Sequence, residues 1–542
     1  MASSLLLLAA GAFVYLLVKI LSFFVPRWRS PLNRLRGPPN ISPLFGHIKM
    51  FDSDNIAVQA KWVAEYGSTM RTYGIFKVPQ LYTADLRLVN HILTHSMDYF
   101  KPPESRLALS HILGQGLLVA EGEKHRRQRR VMNPAFGPAQ IRELTEVFHD
   151  KTIRLCDYWN REIAASPQGT LRTNVIAGLS KMTLDVIGVA GFNYDIDTLN
   201  TEEPPNELSI AFQDIFKSPL RHNLVELLKN LIPTPRSFDN SRVKKAEAAR
   251  ATMQRIGMQL LQEKKAEIMR EHGEKSTGTF EKRDVQGRDL LTLLIKANMA
   301  SDIPDDQRLT DEEVVAQVPT FLVAGHETTS TSTTWCLYAL CKHPEMQQKL
   351  REELLAVPTD APTMDELNEL PYLDLVVRET LRLHAPVTIT SRMALEDDVL
   401  PLSTPLTDKH GDVITGIHIR KGQRIIVPIL ALHTSKSVWG EDASEFKPER
   451  WLSPPDTITA VPGVWSHLLT FLGGPHACIG YRFSLVEMKA LVFTLIRTFE
   501  FELAVPAEEI VPFGTFLQRP ALRNRKDEGG QLPLLIRPYK RS

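Results

Sequence analysis

Phe471-Leu472-Gly473-Gly474-Pro475-His476-Ala477-Cys478-Ile479-Gly480 is the stretch on which the reading of this chain turns. It is a glycine-rich loop that runs into an amphipathic helical pattern, Ser484-Leu-Val-Glu-Met-Lys-Ala-Leu-Val. A cysteine at such a junction has two readings. Taken alone, a free cysteine is most often a small buried hydrophobe. As a thiolate it can instead be an axial ligand of haem iron, with nearby N–H groups and the dipole of the following helix favouring its negative charge. The glycines let the backbone come close to a flat macrocycle, and Phe471 can shield the sulfur from water.

Constellations upstream decide between the two. Ala324-Gly325-His326-Glu327-Thr328-Thr329 lies in a helical pattern from about Thr310 to Lys342. Small residues there let a flat ligand approach the helix, and an acid beside a hydroxyl, Glu327 and Thr328, can relay protons. The competing reading is that both side chains bond locally and only bend the helix. Pro319, two turns earlier, removes a backbone bond and should kink the helix, making Phe321 and Leu322 candidates for a pocket wall. Glu379-Thr380-Leu381-Arg382 puts a carboxylate and a guanidinium on one helix face. Their apolar flanks predict a buried pair in need of a further partner, and Arg450, in Phe446-Lys447-Pro448-Glu449-Arg450-Trp451, can supply it. Gly122-Glu-Lys-His125-Arg-Arg-Gln-Arg129-Arg130 is a basic run, of which Arg126, Arg127 and Arg130 are read as a solvated face that steers an acidic partner.

In order and spacing these motifs resemble the cytochrome P-450 superfamily, the haem-thiolate monooxygenases, in its microsomal type. The loop fits F-x-x-G-x-R/H-x-C-x-G through Phe471, Gly474, Cys478 and Gly480, and Ala324 to Thr328 fits A/G-G-x-D/E-T. The resemblance implies that Cys478 ligates the iron, framed by Phe471 and Gly480. It gives Ala324 and Gly325 to the packing over the haem, and Glu327 and Thr328 to proton delivery. Glu379, Arg382 and Arg450 become a structural triad. His125, Arg129, Arg392 and His476 would hold the haem propionates. Two of those four depart from the family: His125 stands where Trp is usual and His476 where Arg is usual. Histidine anchors a carboxylate more weakly than arginine, or only when protonated.

The chain has 542 residues, 43% hydrophobic, with a net charge of +1, so bulk charge does not point to nucleic acid. Its four cysteines form neither a CxxC pair nor a zinc spacing, which suits a reducing compartment. Residues 1–25 are long and apolar enough to span a bilayer once, and Arg27, Arg29, Arg34 and Arg36 follow on the side that stays cytosolic. A cleaved signal peptide is the alternative, opposed by the missing basic residues at its start. The expected organisation is therefore an anchor (1–25), a basic, Pro-rich linker (26–43) and one catalytic domain (44–542), facing the cytosol from the endoplasmic reticulum membrane. That domain is expected to be mainly α with a smaller β-rich part, as in the cytochrome P-450 fold. Helices are expected from Pro138 to about Glu379, with a polar loop from Glu271 to Asp289.

No dinucleotide-binding fingerprint is present, so electrons must come from another protein. The resemblance implies an NADPH-cytochrome P-450 reductase, with cytochrome b5 as a possible helper. Segments expected to line the pocket (Leu107 to Leu118, Leu208 to Phe238, Phe321, Val387 to Ile389, Phe513 to Phe516) are mainly aliphatic and aromatic, which predicts a hydrophobic small-molecule substrate. Arg-Arg-Val-Met-Asn-Pro-Ala-Phe-Gly-Pro-Ala looks like fungal members of secondary metabolism, making terpenoid hydroxylation or epoxidation the leading expectation. A xenobiotic or fatty-acid hydroxylase, a haem-thiolate isomerase or lyase that needs no external electrons, and a non-catalytic haem protein are the alternatives. Retention of both Glu327 and Thr328 speaks against the isomerase, which has little need of a proton relay.

Overall fold

The computed structural model describes residues 29–51, 56–200, 204–216, 241–275, 289–299, 307–514 and 517–540, with six isolated positions besides. The expected membrane anchor lies outside these residues, apart from four of the isolated positions. Nine helices bear on the site: α1 (Leu86–Thr94), α2 (Pro103–Leu113), α3 (Gly122–Met132), α4 (Pro138–Ala165), α5 (Val175–Phe192), α6 (Asp311–Val315), α7 (Gln317–Lys342), α8 (Pro371–Leu383) and α9 (Tyr481–Thr498). Helices α4, α5, α7 and α9 pack on one another around the largest apolar core, to which Phe148, Trp159, Leu179, Leu337 and Phe493 contribute. Among the described residues α5 alone is long and apolar enough to cross a membrane, and its burial in this core accounts for that composition.

The strands are β1 (Thr69–Tyr73), β2 (Pro79–Thr83), β3 (Tyr99–Phe100), β4 (Leu171–Asn174), β5 (Thr390–Ala394), β6 (Asp398–Thr407), β7 (Val413–Ile419), β8 (Arg424–Val427), β9 (Phe499–Leu503), β10 (Ile510–Phe513), β11 (Arg519–Leu522) and β12 (Pro533–Pro538). One sheet runs β1-β2-β8-β5-β3, another β4-β12-β9, and β6–β7 and β10–β11 are separate antiparallel hairpins. A mainly helical body with a smaller β part is thus the architecture, as the sequence predicts. Strand β4 escapes a reading by periodicity because it is four residues long and none of them is fully buried.

Three expectations need correction. The helix expected from Thr310 to Lys342 is two helices, α6 and α7, separated at Ala316. Pro319 explains the break, since its ring excludes a helical bond to the carbonyl of Val315, the last residue of α6. Thr310 and Glu313 close a reciprocal capping box on α6, and Gln317 caps the loop above by accepting the Leu117 N–H at 2.9 Å. The polar loop expected at Glu271–Asp289 is shortened at both ends. A helix from Ser241 runs to Lys275, and buried Asp289 caps the next helix by accepting the Thr292 N–H at 2.8 Å. Finally, the described part of the 26–43 linker belongs to the body. Leu32 and Leu35 are buried, and Arg34 reaches Asp408 at 2.8 Å and Asp412 at 2.7 Å around the β6–β7 turn.

Candidate active site

The cysteine loop is fixed by backbone chemistry. Gly474 has φ of +67°, and a Cβ there would lie 2.2 Å from the Leu93 carbonyl oxygen of α1. A Cβ on Gly473 would lie 1.7 Å from the Pro462 oxygen. Only glycine fits at either position. The Cys478 N–H donates to the Phe471 carbonyl at 2.8 Å, closing the loop on itself. Phe471 is buried, with Trp465 edge-on at 5.7 Å and Tyr481 at 6.1 Å. The Cys478 side chain is solvent-accessible, so the loop presents its sulfur outward from the body that holds it. Burial leaves its thiol pKa raised overall, and the Gly480 N–H and Arg129 only partly oppose that by favouring the thiolate.

Helix α7 meets this region from the other side. Thr329 and Ser484 share a hydroxyl contact of 3.2 Å, which ties α7 to α9 just beyond the cysteine loop. Along α7 the residues from Thr329 to Thr334 are buried, whereas Ala324 is exposed and Thr328 half-buried one turn apart, forming an open face. Thr328 donates to the Ala324 carbonyl at 2.6 Å, the local bond that the simpler reading required of it. Glu327 does not bond locally to the backbone. It is buried, pairs with Arg519 of β11, and stands 3.2 Å from Nε2 of His326, whose Nδ1 donates to the Leu322 carbonyl at 3.0 Å. Burial alone would raise its pKa, but His326 and Arg519 outweigh it and hold the carboxyl down at about 2. Arg519 was not foreseen, because 192 residues separate it from Glu327.

Two assignments on α7 change. Gly325 faces helix α5: a Cβ on it would lie 2.9 Å from Ile187, so its smallness serves helix–helix contact. Phe321 and Leu322 belong to the apolar core, Phe321 meeting Phe136 edge-on at 5.6 Å and stacking on Phe192 at 6.3 Å, so neither is an exposed pocket wall.

His125, Arg129, Arg392 and His476 gather with two further groups, Lys101 and Glu121, that the sequence reading did not include. Lys101 donates to Glu121 through both its backbone N–H and Nζ at 3.0 Å, and Nε2 of His476 approaches the other Glu121 oxygen at 3.2 Å. His125 stacks on His476 with ring centroids 3.8 Å apart. The structure therefore corrects the role given to His476, whose Nε2 is engaged by a carboxylate of this chain. Burial raises the Glu121 carboxyl, and His476 and Lys101 outweigh that to hold it at about 2. Burial, with His476 and Lys101 beside it, depresses His125 to about 3, so near neutrality it is an uncharged ring. Arg129 donates to the Ala477 carbonyl and, through Nε, to Asn133 at 3.2 Å. Buried Arg392 donates through Nη1 to Thr390 and Ser391. The Nη2 groups of both arginines have no protein acceptor among the described residues, a donor set suited to carboxylates. Of the remaining basic run, Arg127 is not simply solvated: it pairs with Glu313 at 2.5 Å, while Arg126 stays exposed.

Beneath the loop lies a closed network. Glu379 accepts from Arg382 Nε at 2.9 Å and Nη2 at 2.8 Å, from Arg450 Nε at 3.4 Å, from the Lys447 N–H at 3.0 Å and from the Trp451 indole at 3.0 Å. Arg450 also pairs with Asp442, so two cations meet two carboxylates. Arg382 donates to the carbonyls of His433 and Ala443. His433 in turn donates from Nδ1 to the Arg382 carbonyl at 3.1 Å and accepts the Leu469 N–H at Nε2, 2.8 Å, two residues before Phe471. Burial and Arg382 keep this ring neutral, its pKa lowered to about 3. Asp442, Trp451 and His433 are additions to the expected triad; the partial signal was the P-E-R-W run itself.

A solvent-accessible cysteine under a neighbouring N–H, an open face on α7 and two guanidinium edges nearby fit a haem with a thiolate ligand and two propionates. Comparison with known proteins agrees. The sequence model of the family described as Cytochrome P450 matches residues 36–523. The chain is 56% identical to cytochrome P450 monooxygenase 205 of Postia placenta over 94% of this chain and 93% of that protein. It is 51% identical to monooxygenase 128 of the same fungus over 98% of both, and 38% identical to cytochrome P450 monooxygenase claO of Ampulloclitocybe clavipes over 97% of this chain and 96% of the other. The chain therefore belongs to the cytochrome P-450 family, oxygen-incorporating oxidoreductases that use haem, a redox partner and hydrophobic substrates.

Proposed function

We propose that this protein is a membrane-anchored monooxygenase that hydroxylates or epoxidises a terpenoid, with Cys478 as the iron ligand. The observation that carries the catalytic part is the Thr329–Ser484 contact, which sets the open face of α7 over the helix that starts at the cysteine loop. Haem bound there supplies dioxygen binding and O–O cleavage, favoured by electron donation from a thiolate. The chain's own part is to orient and to manage protons. Gly480 N–H and Arg129 stabilise charge on the Cys478 sulfur. Arg129 and Arg392 would hold the propionate oxygens, with the neutral His125 and the Glu121-bound His476 packed as a stacked pair beside them. Glu327 takes up protons and Thr328 Oγ1 passes them on, its hydroxyl aimed by the Ala324 carbonyl. Phe471, buried at the head of the loop, would cover one side of the sulfur once haem is seated.

Residues 1–25 anchor the chain in the endoplasmic reticulum membrane, where an NADPH-cytochrome P-450 reductase, helped by cytochrome b5, delivers electrons to the cytosolic face. Support for a terpenoid comes from the aliphatic character of the expected lining segments and from the fungal sources of the relatives. Parts of two of those segments, residues 217–238 and 515–516, lie outside the described residues. The test is a metabolite comparison in a host making this protein with its reductase, fed a terpene panel. An oxygenated terpene and terpene-dependent NADPH consumption are expected; oxidation of fatty acids alone overturns the substrate class. Rearrangement without NADPH overturns the monooxygenation.

A further inference from the structure

Arg519 approaches Glu327 from a strand that plays no part in the proton relay described above. Its aim is built in. On one side of it, the Gln518 N–H donates to the Pro386 carbonyl at 2.8 Å and the Gln518 carbonyl accepts the Trp335 indole N–H at 2.7 Å. On the other side, the Pro520 carbonyl accepts the Gln531 N–H at 2.7 Å. Gly530 leaves room for the side chain, since a Cβ there would stand 3.0 Å from Arg519 Cδ. In register, Arg519 pairs across the hairpin with Phe513, next to the turn glycine Gly514. One hairpin thus carries both the guanidinium on the relay acid and Phe513, a residue expected to meet substrate.

We propose that Arg519 is a positioning residue of the proton relay: its guanidinium holds the Glu327 carboxylate toward the β10–β11 hairpin, so that the hairpin sets when this acid is free to take up and pass a proton. The proposal rests on the monooxygenase reading for its purpose but not for its geometry. While the pair is closed, Glu327 faces a cation on β11 and His326 on its own helix, and binds a proton poorly. When Arg519 withdraws, the carboxylate takes a proton from solvent hydronium at Oε2; the same O–H later gives it up through water to Thr328 Oγ1 as that hydroxyl passes its own proton on, so both groups return to their starting forms. Movement of the hairpin on seating a substrate near Phe513 would be felt at Glu327 through this contact.

The test reads protonation of Glu327 directly, by carboxyl infrared titration of the haem-loaded full chain under carbon monoxide without turnover. The band is assigned by its loss in Glu327→Gln. Arg519→Gln should bind the Glu327 proton at least about tenfold more tightly, a rise of about one pH unit in midpoint, and Arg519→Lys should return most of the way to wild type. Gly530→Ala, which crowds Arg519 without removing its charge, should give an intermediate rise and stands in if Arg519→Gln does not fold. In turnover, product formed per NADPH should fall in Arg519→Gln and recover in Arg519→Lys. Midpoints unchanged in Arg519→Gln, or in Gly530→Ala where it stands in, overturn the proposal. A shifted midpoint in a protein that consumes no NADPH with any substrate overturns the monooxygenase reading and leaves the Arg519 assignment standing.

Discussion

Glu379→Gln is the perturbation whose cost the structure allows to be worked out. The wild-type network under the cysteine loop contains Glu379, Asp442, Arg382 and Arg450, with Glu379 and Arg382 fully buried. Removing the Glu379 charge leaves Arg382, donating through two of its nitrogens, beside a neutral amide. Breaking one partner of a buried pair costs about 3–5 kcal/mol, because the remaining charge is desolvated without compensation. The amide NH2 also replaces an oxygen that accepts N–H donors, so a clash of donors adds to the loss. Trp451→Phe removes only the indole bond to Glu379 Oε2 and keeps an aromatic ring against Trp439, at a cost of about 1.5–3 kcal/mol for a bond to a charged acceptor. Unfolding entropy of about 2.1 cal/mol/K per residue gives roughly 1 kcal/mol/K for a chain of this length, so the two variants should melt about 4 °C and about 2 °C below wild type. The assay is thermal unfolding at matched haem content, followed by circular dichroism and the Soret band together. Glu379→Gln melting within a degree of wild type, or above Trp451→Phe, would refute the ion-network account.

Cys478→Ser should abolish the thiolate-type spectrum of the reduced carbon monoxide complex while circular dichroism stays native, and persistence of that spectrum would remove Cys478 as the ligand. Gly325→Val should push α5 and α7 apart at Ile187 and cost about 1–3 kcal/mol by overpacking; adding Ile187→Ala should restore most of the lost melting temperature, and no rescue would contradict the contact. His384 is half-buried, face to face with Trp335 at 4.5 Å, and desolvation, then Lys342 and Arg382, depress its pKa from 6.5 to about 3. Its folded form refuses a proton that the unfolded chain accepts, so stability is full above about pH 6.5 and falls as pH drops toward 3. His384→Phe keeps the stack and should flatten stability against pH in that window; an unchanged slope would exclude His384 as a source.

What the sequence disclosed was whatever depends on short spacing. The cysteine loop, the Glu379–Arg382 face and the Ala324–Thr328 run are each local patterns, and local geometry follows from them. Pro319 announced a break in the helix, though not its position at Ala316, because the clash falls on the carbonyl four residues earlier. The partners that complete each site come from far along the chain. Arg519 meets Glu327, Lys101 and Glu121 enter the His476 cluster, and Asp442 with His433 completes the Glu379 network. No periodicity encodes such meetings. Phe321 and Leu322 show the opposite limit, since apolar residues beside a functional motif read alike whether they line a cavity or fill a core.

The two glycines at the head of the cysteine loop bear on how this protein matures. Gly473 and Gly474 are pressed against carbonyl oxygens of Pro462 and Leu93, the second belonging to a helix made nearly four hundred residues earlier in synthesis. The loop therefore has no final shape until α1 has docked against it, a closure across most of the chain and one of the slow kinds of contact to form. Haem capture is accordingly a late event, possible only once both ends of the catalytic body have met. Substitutions at the α1 surface that leave the finished enzyme intact should then show themselves as slower haem uptake during biosynthesis, and as apo-protein exposed for longer to proteolysis.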